Sequence, residues 1–180
     1  PPQPVPVQGV KTVKNLVIGY VSGAGISIID GGKTVQNCYI GTDTTGTVAH
    51  PNSGAGISVT TTALGPYPVP LPPPVQPPDI SGVQPTLIGH ASDAAQGNLI
   101  SGNQGLGVDI SGERTVKVTV ASNLIGTDAA GTAAIPNGLG GVCPDGALIR
   151  AMTFSCARTR AVASVRPELP GALPPSDSPT

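Results

Sequence analysis

Two aspartates are the residues of this chain best suited by their surroundings to do chemistry. Asp43 and Asp128 each occupy the third position of a Gly-Thr-Asp-x-x-Gly-Thr motif. A pair of carboxylates can act as general acid and general base, or hold calcium. An aspartate in this setting can also accept hydrogen bonds from its own backbone and start a turn. No second carboxylate lies next to either residue in the sequence, so the motif favours the turn, and both aspartates stay candidates for catalysis.

The two aspartates lie in the longest of three internal repeats. Residues 40–52 match residues 125–137 at nine of thirteen positions. A second unit, Gly-x-Gly followed by Ile or Val, opens runs that alternate apolar and polar residues, which is the pattern of a strand. This unit occurs at residues 23–26, 54–57 and 105–108, and with one extra glycine at 138–142. A third unit begins with Asn and leads through apolar residues to Gly, at 15–19, 37–41, 98–102 and 123–126.

The spacing of these units predicts a β-solenoid. Asn15 and Asn37 are 22 residues apart, and Asn98 and Asn123 are 25 residues apart. Short strands at this period bury their apolar side chains by stacking coil on coil, with roughly 4.8 Å between strands. Asparagine suits the corners because it tolerates a left-handed backbone and its amide can bond from coil to coil. The chain is therefore expected to be all-β.

Stacking also predicts the distance between the two aspartates. Asp43 and Asp128 are 85 residues apart, and removing a proline-rich insertion at 66–85 leaves about three coils, or about 14 Å. The paired carboxylates of glycosidases lie roughly 5–9.5 Å apart. We therefore expect the two aspartates to be too far apart to act together.

The repeats resemble those of a known family. Residues 88–98 and 98–103, with the two thirteen-residue blocks, are similar to the tandem repeats of large bacterial surface and secreted proteins of the pectin-lyase-like type. The resemblance covers about residues 15–62 and 86–142. It implies a right-handed parallel β-helix, here of about four or five coils, at an extracellular or cell-surface location. The same fold carries polysaccharide lyases, hydrolases and epimerases.

Composition excludes other functional classes. Charged residues make up 11 % of the chain, aromatic residues 2 %, and the net charge is -1. A nucleic-acid-binding surface needs basic residues and stacking aromatics, so no nucleic-acid partner is expected. No run of 18 apolar residues occurs, so no membrane span is expected. Cys38, Cys143 and Cys156 lack metal-ligand spacing, and neither a metal nor a cofactor is expected.

Composition also divides the chain. Nine of its 21 prolines lie within 66–85, which reads as a loop inserted into the solenoid, and 23 of its 25 glycines precede residue 143. We therefore expect an irregular lead-in at 1–14, β-helix repeats at 15–142, and an atypical, disordered tail at 143–180.

These features favour a non-catalytic structural, adhesion or glycan-contacting module. Polysaccharide or cell-surface glycan is the expected partner, and open coil edges also predict end-to-end self-association. The alternative is a fragment of a polysaccharide lyase, hydrolase or epimerase. For glycan contact, the candidate region is the flat sheet faces and the two matched loops. The candidate residues on the loops are Thr42, Asp43 and Asn52, and Thr127, Asp128 and Asn137.

Overall fold

The computed structural model describes residues 11–29, 31–60, 84–112, 117–144 and 153–155. These residues form thirteen short strands and one 3-10 turn. In chain order the strands are β1 (Lys11–Lys14), β2 (Val17–Ile18), β3 (Ile26–Ile29), β4 (Lys33–Gln36), β5 (Tyr39–Ile40), β6 (Ile57–Thr60), β7 (Thr86–Gly89), β8 (Leu99–Ile100), β9 (Leu106–Ser111), β10 (Val118–Ala121), β11 (Leu124–Ile125), β12 (Gly140–Pro144) and β13 (Thr153–Ser155). The 3-10 turn (Ala94–Gln96) lies between β7 and β8. Within these ranges no helix has the length and apolar character to cross a membrane.

The strands form three parallel sheets with a regular order. Sheet A is β1-β4-β7-β10-β13, sheet B is β2-β5-β8-β11, and sheet C is β3-β6-β9-β12. Each strand thus pairs with the strand three elements later, so three consecutive strands make one coil that stacks on the next. We number the coils 1 (β1–β3), 2 (β4–β6), 3 (β7–β9) and 4 (β10–β12). The described part of the chain is nearly all β and stacks like a solenoid, as the repeats predict.

The core is a column of aliphatic side chains in register. On sheet B, Ile40 pairs with Ile100 and Ile100 pairs with Ile125. On sheet C, Ile57 pairs with Val108. All five side chains are at most 1 % exposed. Alternate residues of each strand face inward, and small aliphatic side chains fill this narrow interior.

The Gly-x-Gly units align between coils. Ile26 pairs with Ile57, Ile57 with Val108, and Val108 with Val142. The second glycine of each unit lies against the next coil: a Cβ on Gly56 would lie 2.8 Å from the Gly107 carbonyl oxygen. Glycine is required there because the backbones of neighbouring coils approach too closely for a side chain.

Strands also occur near the predicted ends of the solenoid. β1 lies within the predicted lead-in, and its Lys-Thr-Val-Lys sequence pairs with the Lys-Thr-Val-Gln of β4. β12 ends at Pro144, and β13 pairs with β10, so two short stretches of the predicted tail join the sheets. The rest of the tail, and residues 66–83 of the predicted insertion, lie outside the described residues.

Candidate functional site

A ladder of buried asparagines runs along the corner between sheets B and C. Asn52 donates from Nδ2 to Asn103 Oδ1 at 2.8 Å, and Asn103 donates from Nδ2 to Asn137 Oδ1 at 2.9 Å. Each Nδ2 also donates to a backbone carbonyl of the preceding coil; for Asn103 this is Ile40 O at 3.2 Å. The ladder therefore joins coils 2, 3 and 4, with every amide used for stacking.

A second ladder lies at the corner between sheets A and B. Asn98 donates from Nδ2 to Asn123 Oδ1 at 2.9 Å, and the backbone N–H of Cys38 donates to Asn98 Oδ1 at 3.0 Å. Cys38 thus occupies in coil 2 the position that Asn98 occupies in coil 3. Asn15 and Asn37 lie one residue earlier and bond to each other at the exposed surface.

The four asparagines that begin the third repeat unit are therefore not equivalent. In coils 1 and 2 the unit has one more residue before the strand, so Asn15 and Asn37 take the left-handed corner position with φ of 59° and 49°. Asn98 and Asn123 take the buried ladder position instead.

The Cys38 thiol is buried and has a structural environment. It donates to the Gln36 carbonyl oxygen at 3.2 Å and its sulfur lies 3.9 Å from the Val13 carbonyl oxygen. Burial raises the pKa of the Cys38 thiol above its ordinary value. A buried thiol with a raised pKa is a poor nucleophile, because the reactive species is the thiolate.

Asp43 holds together the first of the two matched loops. Its Oδ1 accepts from the backbone N–H groups of Thr47 and Val48 at 3.1 Å each, and its Oδ2 accepts from the Thr45 hydroxyl at 2.7 Å. The Thr45 hydroxyl and these backbone N–H groups hold the pKa of Asp43 at about 2. The carboxylate is therefore ionised at neutral pH and closes its own loop.

Asp128 does the same in the second loop. Its Oδ1 accepts from the backbone N–H groups of Thr132 at 2.7 Å and Ala133 at 3.1 Å. Its Oδ2 accepts from the Thr132 hydroxyl at 3.1 Å. The Ala133 and Thr132 N–H groups lower the pKa of Asp128 below its ordinary value. In both loops the aspartate accepts hydrogen bonds from the turn it starts, as the Thr-Asp-x-x-Gly motif favours.

The two loops fold onto the outer face of sheet B. Gly46, in the first loop, lies directly over two outward side chains: a Cβ there would lie 2.7 Å from Leu99 Cδ2 and 3.1 Å from Tyr39 Cε2. In the second loop, a Cβ on Gly131 would lie 3.4 Å from Leu124 Cδ2. Leu99 is only 2 % exposed although it lies outside the core column. The loops therefore cover an apolar row on this sheet.

The predicted separation of three coils between the aspartates is wrong. Their loops leave coils 2 and 4, which are two strand steps apart, or about 10 Å. The loops also touch, because Ala129 N–H donates to Gly46 O at 3.0 Å. The estimate failed because each loop lengthens its coil: Ile26 and its partner Ile57 are 31 residues apart, more than the repeat spacing suggested.

The other candidate ligand-binding residues lie inside the stack. Thr42, Asn52, Thr127 and Asn137 are buried, with at most 7 % of each exposed. The two asparagines are members of the first ladder, and the backbone N–H of Thr127 donates to Ser101 Oγ at 3.0 Å. Thr42 Oγ1 is a buried hydroxyl without a hydrogen-bond partner in the described part of the chain. Of the six candidates, only the two aspartates reach the surface, and both are half-buried.

A groove of about 530 Å³ adjoins the second loop. It lies between the 3-10 turn, the corner at Ser122 and the loop, with Leu124 on its floor. Its lining is otherwise small: Ala94, Ala129, Ala130, Gly131 and Thr132. Neither Asp43 nor Asp128 lines this groove.

One surface feature was missed in the sequence. Tyr20 is 72 % exposed and its ring stacks on the imidazole of His50, with ring centroids 4.7 Å apart and an interplanar angle of 28°. His50 belongs to the first matched loop, where the second loop has Ile135. Only the rarity of aromatic residues in this chain could have drawn attention to Tyr20.

The chemistry of the described side chains is thus mainly that of coil stacking and loop closure. Among them, no three His, Cys, Asp or Glu residues are grouped so that they could hold a metal ion. Comparison of the chain with protein-family models, with curated proteins and with solved structures gave no match.

Proposed function

We propose that this chain is a non-catalytic structural module of a larger surface or secreted protein. The module is a right-handed parallel β-helix, and it contacts glycans. The observation that carries the proposal is the use made of its polar side chains. The amides of Asn52, Asn103 and Asn137 bond coil to coil, and both loop aspartates close their own loops. These groups stabilise a stack rather than converge on a substrate.

The state of the aspartates argues against general-acid catalysis by either carboxyl group. A general acid must carry a proton near the working pH, and its efficiency is greatest when its pKa lies close to that pH. Asp43, with a pKa of about 2, has no proton to donate at neutral pH. The pKa of Asp128 is lowered by the same kind of contacts.

The regular order of the sheets supports the β-helix. Each strand from β1 to β10 pairs in parallel with the strand three later, and about 98 % of crossover connections between parallel strands of one sheet are right-handed. The sequence resemblance to tandem β-helix repeats of bacterial surface and secreted proteins supports the same handedness and an extracellular location.

The proposal is tested with a panel of acidic and neutral polysaccharides, with and without calcium. Co-sedimentation measures binding, and size-exclusion chromatography measures polysaccharide chain length. We expect the protein to bind polysaccharide without shortening it, and the Asp43→Asn, Asp128→Asn double variant to behave in the same way. If the protein shortens the polysaccharide and the double variant does not, the alternative of a polysaccharide lyase or hydrolase replaces the proposal.

A further inference from the structure

Tyr20 lies at a corner where coil 3 has a glycine. Ile18 aligns with Ile100 through sheet B, and Ile26 aligns with Val108 through sheet C. Seven residues lie between the sheet B isoleucine and the aligned sheet C residue in coil 1, and seven in coil 3. Tyr20 of coil 1 therefore corresponds to Gly102 of coil 3. The two residues share the left-handed backbone conformation, with φ of 61° for Tyr20 and 75° for Gly102.

The neighbouring loops explain why the two coils differ. In coil 3, a Cβ on Gly102 would lie 2.9 Å from Ala49 Cβ and 3.2 Å from Ile135 Cγ2, because a loop lies on either side. In coil 1 the tyrosine ring has room, with one face against His50. A left-handed conformation costs a bulky residue free energy that glycine avoids.

Burial does not compensate for this conformational cost. The Tyr20 side chain is 72 % exposed, and its described ring contact is the single stack on His50. Stability alone would favour glycine at this corner. An exposed aromatic side chain on a residue whose backbone is held in a strained conformation is a reason to look for a ligand.

The surroundings of the ring indicate which ligand. Residues 15–29 and 44–60 contain no Asp, Glu, Lys or Arg, and the one charged side chain of the adjoining loop, Asp43, accepts hydrogen bonds within that loop. Ser22 and Ser53 are exposed residues of the same two segments. Both the N–H and the hydroxyl of Ser53 donate to Val21 O, at 2.9 and 3.4 Å, which brings the segments together. An open aromatic face with exposed serine residues nearby suits a ligand with an apolar face and hydroxyl edges.

We propose that Tyr20 and His50 form a stacking platform for a neutral hexopyranose unit of a glycan. The C–H face of the sugar ring lies on the open face of Tyr20, which His50 supports from the opposite face, and the sugar hydroxyls bond to neighbouring hydroxyl groups. This inference rests on the proposed glycan contact and specifies both its place and the class of sugar.

The test uses the full chain and variants that the repeat itself suggests. Tyr20→Gly introduces the glycine that coil 3 has at the corresponding position, Gly102. His50→Ile introduces the isoleucine that the second loop has there, Ile135. Affinity electrophoresis in gels containing a neutral β-glucan, a galactomannan or polygalacturonate measures binding, and thermal unfolding measures stability. We expect Tyr20→Gly to weaken binding to at least one neutral glycan about tenfold or more while leaving the melting temperature unchanged or higher. Tyr20→Phe should keep the binding, and His50→Ile should weaken it less than Tyr20→Gly.

Nitration of tyrosine adds a second readout. Tyr20 is far more exposed than the half-buried Tyr39, so it should be nitrated faster, and the bound glycan should protect it. Binding that is equal in the chain and in Tyr20→Gly would overturn the platform and leave the proposed glycan contact standing. Binding to polygalacturonate and to neither neutral glycan would also overturn the platform and leave the proposed glycan contact standing. Absence of binding to every polysaccharide, acidic or neutral, would overturn both proposals.

Discussion

Replacement of Asn103 by alanine tests the most specific feature of the stack, its first asparagine ladder. The side chain of Asn103 accepts from Asn52 Nδ2 at 2.8 Å and donates to Asn137 Oδ1 at 2.9 Å and Ile40 O at 3.2 Å. Asn103 is only 1 % exposed, so water cannot replace these partners without entering the stack. Asn103→Ala therefore removes three hydrogen bonds between coils at once.

The expected loss of stability follows from these contacts. Each intramolecular hydrogen bond contributes about 0.5–1.5 kcal/mol, and a buried donor left without a partner costs about 1–3 kcal/mol. Ile40 O keeps the Ser101 N–H at 3.0 Å, and Asn137 Oδ1 keeps the backbone N–H of residue 103 at 3.0 Å. Asn52 Nδ2 keeps only a long bond of 3.4 Å to Ile18 O. We therefore expect a loss of about 3 kcal/mol in the free energy of unfolding.

Equilibrium unfolding in urea, followed by far-ultraviolet circular dichroism, measures this loss. Asn37→Gly is the matched control, because it removes an Asn–Asn bond of 2.8 Å that is exposed, and glycine accepts the left-handed φ of 49°. The control should change the free energy of unfolding by less than about 0.5 kcal/mol. A loss below about 1 kcal/mol for Asn103→Ala, or equal losses for the two variants, would refute the ladder as the main polar contribution.

Three further predictions concern Cys38, Asp43 and the exposed apolar side chains of coil 1. Cys38→Asn should raise the free energy of unfolding in urea by about 1 kcal/mol, because an amide there can donate to Asn98 Oδ1 and to the Val13 carbonyl oxygen; a decrease would contradict the assigned ladder position. The pKa of Asp43 lies at about 2, below the ordinary 3.8, so its contribution to stability is present above pH 3.8 and lost as the pH falls through 2. Carbon-detected NMR titration of Asp43 should show this pKa, and a value near 3.8 would refute its hydrogen bonds. Within the described ranges, five of the seven exposed large apolar side chains lie on coil 1. Sedimentation velocity should therefore show concentration-dependent association that Val17→Lys weakens, and a monomer at every concentration would contradict the end-to-end contact.

The strands and their alignment could be predicted because their signals are local. Apolar residues alternate along the strands with the period that buries one face, and the Gly-x-Gly units mark corners where backbones approach closely. The four copies of that unit align in sheet C as their sequence similarity predicts. Closure of the loops by Asp43 and Asp128 was likewise predictable, since each carboxylate bonds residues only two to five positions away.

The relations between coils could not be predicted, because they depend on which residue lies above which. A shift of one residue gives the ladder position of coil 2 to Cys38 and puts Asn37 at the surface. Loop lengths change the residue count of a coil without changing its rise, so sequence distance overestimated the separation of Asp43 and Asp128. The sequence alone therefore determined a stack of parallel strands with aspartate-closed loops. Tertiary structure decided which amides join the coils, which face the loops cover, and that Tyr20 meets His50. Those contacts join residues brought together only when one coil is stacked in register on the next.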